Sequence, residues 1–205
     1  MDNAVNMSQI SFTGQHRNLP STGKSADYTA SFGYIVTADG TYANLYQSGS
    51  SKFMTKPNIN ESLPNVKFSN KAYDKSVFGV ISDSEDNDKT DSDNLRTYTH
   101  GVWTMVGEKE NSDDNRLYIN SIGEGAIWVS NYSGSLENGD YITTSPIEGL
   151  GMKQNDDLLH NYTVAKITQN CTFDLNASAS YDCVEFNWSG STYRKAFVGC
   201  TYHCG

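Results

Sequence analysis

The 205-residue chain carries 15 basic against 24 acidic residues, a formal charge of −9, which removes the phosphate-neutralising surface a nucleic-acid binder needs. No stretch reaches the ~18 consecutive apolar residues of a membrane helix, and the N-terminus "MDNAVNMSQISFTG" has neither the basic nor the apolar region of an export signal. Only 37% of residues are hydrophobic, yet 13 Tyr, 8 Phe and 3 Trp supply bulky bodies with polar tips, which favours sheet over helix.

In chain order, short alternating or continuous apolar runs bounded by Gly, Asn, Asp and Ser predict strands at "QISFT" (9–13), "SFGYIVT" (31–37), "TYANLYQ" (41–47), "SVFGVIS" (76–82), "TYTHGVWTMV" (97–106), "RLYINS" (116–121) and "GAIWVSN" (125–131). The pattern continues with "DYITTS" (140–145), "NYTVAKIT" (161–168), "DCVEFNW" (182–188) and "STYRKAFVG" (191–199). The turn tripeptide "ADG" (38–40) predicts a hairpin, and "SGS" (189–191) a second one. Only 70–75 and 155–161 have room for a helical turn. The expected fold is all-β, a compact mixed barrel or sandwich of short strands, with an extended N-terminal arm over 1–30 and one β domain over 31–205. Near-continuous apolar runs such as 76–82 and 125–131 predict burial on both faces of the strand.

The chemistry-bearing residues are dispersed. The acidic stretch 82–96 has neither the Gly nor the Glu at the spacing of an EF-hand loop and is read as a solvated loop. There is no phosphate loop, no nucleophile elbow and no paired-histidine zinc motif; His16, His100, His160 and His203 are far apart. Ser145 and Lys153 flank the turn in "GDYITTSPIEGLG" (139–151), where a turn serine and a solvated lysine are the simpler reading. Cys171, Cys183, Cys200 and Cys204 crowd the last fifth of the chain and leave free thiols, disulfides and a weak zinc corner open, with no cofactor or metal assigned. The segment "FTGQHRN" (12–18) sets an amide, an imidazole and a guanidinium side by side, groups able to polarise a carbonyl, although a polar strut is the simpler reading.

The segments "ISFTGQHR" (10–17), "FGYIV" (32–36), "VFGVIS" (77–82), "RLYINSIGEGAIWV" (116–129), 139–167 and "AFVGCTYHCG" (196–205), in this order, resemble the intramolecular-chaperone, autoproteolytic cleavage domain at the C-terminus of viral fibre, tail-spike and neck-appendage proteins. The resemblance is strongest over 116–167. It implies a homotrimer that registers a viral fibre or spike chain, present in the virion or in the infected-host cytoplasm during assembly. It also implies cleavage upstream of the domain by an acidic dyad, but "SADYTASFG" (25–33) offers Asp27 without its acidic partner. A self-cleaving variant of this chain would therefore lean on Gln15, His16 and Arg17 of the arm together with Asp27. The competing expectations are an uncleaved virion structural or receptor-binding head domain and, with least support, a peptidase acting in trans.

Overall fold

The computed structural model describes residues 14–21, 28, 31–43, 53–54, 64–84, 95–100, 103–108, 116–176 and 180–204. The expected strand at 9–13, the centre of the acidic stretch and Asp27 lie outside these residues. Among the described residues there is no α-helix, and the stretches 70–75 and 155–161 form turns and bends instead of helical turns. A short 3₁₀ turn sits at Asn131–Ser133.

The strands are β1 (Gln15–Asn18), β2 (Ile35–Ala43), β3 (Phe53–Met54), β4 (Pro64–Phe68), β5 (Val77–Ser84), β6 (Leu95–His100), β7 (Trp103–Glu108), β8 (Leu117–Asn120), β9 (Ile122–Ser130), β10 (Tyr141–Thr144), β11 (Gly151–Lys153), β12 (Thr163–Ile167), β13 (Asp182–Trp188) and β14 (Ser191–His203). The first sheet runs β1-β8-β5-β2-β3, with β4 also paired to β2. The second runs β12-β10-β11-β9-β14-β13 and is closed by an extra pairing of β12 with β14 at Ala165↔Tyr202, Lys166↔Thr201 and Ile167↔Cys200. Five strands therefore form a barrel, mixed because β11 joins β9 in parallel at Gly151↔Val129. β9 occupies one edge of β14, so β13 and β12 share the other edge end to end, and the β13–β14 hairpin extends beyond the barrel. β6 and β7 form a separate antiparallel pair ending at His100↔Trp103, so the apolar run 97–106 is two strands, not one.

Alternation explains the core. Inside the barrel, Ala196, Val198, Cys200 and Tyr202 of β14 meet Ile127, Val129, Ile142, Val164, Ala165 and Ile167. Ile35 and Val80 of the first sheet join this cluster, while their sequence neighbours Val36 and Ile81 pack into a second cluster with Val66, Leu117 and Ile119. Both faces of β2 and β5 are thus buried, as expected for 76–82, whereas the run 125–131 alternates, with Ile127 and Val129 in the core and Ala126 and Trp128 only half-buried on the other side of β9.

The predicted hairpin at 189–191 forms, because Ser189 (φ 50°) and Gly190 (φ 80°) both take the left-handed conformation a two-residue turn needs. The one predicted at 38–40 does not. Gly40 alone of that trio has positive φ (89°), and β2 continues through it as a bulge, with Ala38↔Val66 followed by Tyr42↔Pro64. Asp39 fixes the bulge by accepting hydrogen bonds from the Thr41 amide (2.8 Å) and hydroxyl (2.6 Å).

Candidate functional site

The described part of the arm, residues 14–21, is a stitched strand. Gln15, His16, Arg17 and Asn18 pair in turn with Asn120, Ile119, Tyr118 and Leu117 of β8. Beyond β1, Leu19 accepts a hydrogen bond from the Val66 amide (2.9 Å), and Ser21 donates from its amide to Val66 (2.8 Å) and from its hydroxyl to Asp39. The His16 ring packs on Phe78, with centroids 5.5 Å apart. Burial holds its pKa below the ordinary value of 6.5. Because protonation is disfavoured in the fold, the stability contributed here is present above about pH 6.5 and is lost as pH falls through that unfolded value. His16→Phe, which keeps the ring and removes the titration, should flatten the decline in melting temperature between pH 7 and pH 5. An unchanged pH profile would show that His16 does not couple to folding. Asp39 acts at lower pH: burial raises its pKa, but hydrogen bonds from Ser21 and Thr41 carry it below its ordinary value.

The turn at 139–151 is the joint between barrel and sheet. The Thr144 hydroxyl accepts from the Asp74 amide (2.8 Å), the Gly149 amide donates to Ser69 (2.7 Å), and the Ile35 amide donates to Gly149 (2.8 Å). Ser145 is fully buried, and its hydroxyl both donates to the Ile147 carbonyl (3.0 Å) and accepts from the Ile147 amide (3.1 Å), a self-closing turn. Lys153 pairs with Asp140 at 2.8 Å, so Ser145 and Lys153 each have other partners. A nucleophile and its base are not assembled by these contacts.

All four cysteines are free thiols, and Cys171, Cys200 and Cys204 are buried in the barrel core, with Cys183 packed against it. Burial pushes the Cys200 and Cys204 thiols up to about 12. Both should resist a bulky thiol reagent at pH 8 until the protein unfolds, since the thiolate is the reactive form. Rapid native-state labelling of either would contradict this packing. No group of three metal-ligating side chains occurs among the described residues. His160 lies on Tyr162 and bonds Asp156, whereas His203 meets Thr201 and Tyr141.

One surface stands out by composition. Phe173 and Tyr202 are the aromatic residues buried in the barrel core, while further aromatic rings lie on the opposite side of β9, β13 and β14; of these, Trp128 and Phe197 pack against Gly33, and the others sit towards the hairpin that extends beyond the barrel. Val184, Phe186 and Trp188 oppose Lys195, Tyr193 and Ser191 in register, and Phe197 opposes Trp128. Tyr193 stacks on Tyr132 (5.8 Å, 29°) and meets Trp188 (6.0 Å) and Phe186 (6.3 Å); Phe197 meets Trp128 at 5.2 Å. Tyr132 is 41% and Val184 47% exposed. The Lys195 ammonium donates to the Tyr34 hydroxyl (2.6 Å) and lies 5.1 and 5.0 Å from the Tyr34 and Trp128 ring centres. Each strand announces this face by alternation, but the sequence does not say which side is outward.

No family model, curated protein or solved structure matches the chain. No helix among the described residues is long and apolar enough to cross a membrane.

Proposed function

We propose that the chain is a viral assembly module, a trimerisation and intramolecular-chaperone domain for a fibre or tail-spike chain. The observation that carries the reading is the partly exposed aromatic cluster of Tyr132, Phe186, Trp188 and Tyr193 at the β13–β14 hairpin. Aromatic residues are enriched in the buried centres of protein interfaces, and a partly exposed cluster of four such rings is a surface suited to association. The stitched arm supports it from the other side, because a chain arriving at β1 is held through β8, Val66 and Asp39 before it reaches the barrel. Long fibre β-structure is slow to form and prone to aggregate until its chains are registered, which a folded, self-associating domain overcomes. The work would take place in the virion or in the host cytoplasm during assembly. Self-cleavage is a variant of this reading, with the His16 imidazole favoured in its neutral, proton-accepting form.

The test fuses before residue 1 a β-rich fibre segment that aggregates when expressed alone. A soluble trimer of the fusion supports the module, and fragment release lost in His16→Ala supports the self-cleaving variant. A fusion that stays aggregated although the domain folds removes the chaperone reading. A soluble monomeric fusion whose domain folds leaves the face to a receptor, the uncleaved head domain.

A further inference from the structure

The loop joining β11 to β12 (154–162) presents two consecutive leucines to water: Leu158 is 64% and Leu159 60% exposed, the highest values among the exposed large hydrophobic residues described. Single exposed leucines are ordinary. An adjacent pair on a loop built to hold them still is not.

The buried Gln154 side chain donates from Nε2 to Asp156 Oδ1 (2.8 Å) and to the carbonyls of Asp156 (3.2 Å) and Leu158 (2.6 Å). Its Oε1 accepts from the Thr163 hydroxyl (2.7 Å), which itself accepts from the His160 amide (2.9 Å). Asp156 Oδ1 also accepts from the Leu158 amide (3.1 Å) and bonds His160 Nε2 (3.0 Å). The His160 ring stacks on Tyr162 (4.6 Å, 21°), which meets Tyr73 edge-on at 5.2 Å. The start, tip and end of the loop are therefore fixed before any partner arrives, which lowers the ordering cost of binding.

Its position is defined by the topology. The loop leaves beside Tyr141, where the Gln154 amide bonds the Tyr141 carbonyl, and returns beside Thr143, whose hydroxyl donates to the Tyr162 carbonyl. It thus crosses the outer side of β10. In the ring β12-β10-β11-β9-β14, β10 lies across from β9 and β14, so the leucines face away from the aromatic surface. Association through that surface leaves them free.

Charge selects the partner. Asp156 and Asp157 precede the leucines, and Asp140, Glu137 and Asp157 all act on Lys153, whose ammonium Asp140 already holds. A second copy of this chain, at −9, would meet the loop with like charge. We infer that Leu158 and Leu159 are a preorganised docking tip for a different protein, one whose apolar surface is rimmed by Lys or Arg. This inference does not depend on the trimer.

The test uses two fluorescein-labelled amphipathic helical peptides with the same leucine spacing, one with lysine and one with glutamate at the polar positions, followed by anisotropy at physiological salt. The proteins are wild type and Leu158→Asn/Leu159→Asn, which keeps charge and fold while removing the apolar tip. The inference expects the lysine peptide to bind wild type, to bind the double variant at least tenfold more weakly, and the glutamate peptide to bind neither. Equal binding of the lysine peptide to both proteins would reduce the effect to net charge and overturn the inference. So would equal binding of the two peptides, or no binding to wild type.

Discussion

Gly149→Ala should lower the melting temperature by roughly 5–15 °C, and Gly40→Ala by only a few degrees. Both glycines have positive φ, 71° and 89°, so both substitutions carry the left-handed backbone cost of about 1–2 kcal/mol. Their surroundings differ. A Cβ at Gly40 would meet nothing within 4 Å, whereas one at Gly149 would lie 2.4 Å from Tyr34 Cδ2 and 3.1 Å from Tyr34 Cβ. Tyr34 has little room to retreat, because its hydroxyl holds the Lys195 ammonium and its ring meets Phe68 edge-on at 5.9 Å. Overpacking adds about 1–3 kcal/mol, for a total of about 2–5 kcal/mol. The same glycine carries two of the hydrogen bonds of the joint, to Ser69 and from Ile35. Differential scanning calorimetry of the two variants decides the matter: equal shifts would mean that the turn at 139–151 is not the joint.

This turn was the most conspicuous device in the sequence, and its role as scaffold could be read from Pro, Gly and Ser at turn spacing. What it joins could not, since Ser69, Asp74 and Ile35 are some 70 to 115 residues away in the chain. Strand existence was legible because apolar alternation is local; barrel closure was not, because it depends on Ala165 meeting Tyr202 and on a single parallel rung at Gly151. The hairpin at 189–191 and the bulge at 38–40 show the same limit in miniature. Both read as turn tripeptides, and only the φ values of Ser189 and Asp39, set by the neighbouring strands, separate them.

The candidate site divides in the same way. The arm residues were visible as a dense set of donors, and the structure places Gln15, His16 and Arg17 on consecutive rungs of β8, with His16 tied to Phe78. The aromatic face was present in the sequence as "VEFNW" and "YRKAF". Its outward orientation follows only once Ala196 and Val198 are seen to fill the barrel, leaving Tyr193, Lys195 and Phe197 on the other side of the strand.

The largest effect on function is expected from Trp188→Asp/Tyr193→Asp. Tyr193 is the ring on which Tyr132, Phe186 and Trp188 converge, so charging it and its neighbour removes the centre of the face and buries two carboxylates in any surviving contact. Hot-spot residues, which are enriched in Trp and Tyr near the centre of an interface, each cost about 2 kcal/mol or more when truncated, so losing two should weaken association by roughly a thousandfold. The monomer should keep its fold, because both side chains are only half-buried and the hairpin extends beyond the barrel. The direct measurement is light scattering of wild type and this variant across a dilution series, with circular dichroism to verify the variant's sheet content. The proposed trimer predicts about three times 22.6 kDa for wild type at micromolar concentration and a folded 22.6 kDa species for the variant. Wild type that stays at 22.6 kDa throughout, or a variant that remains fully trimeric, would contradict it.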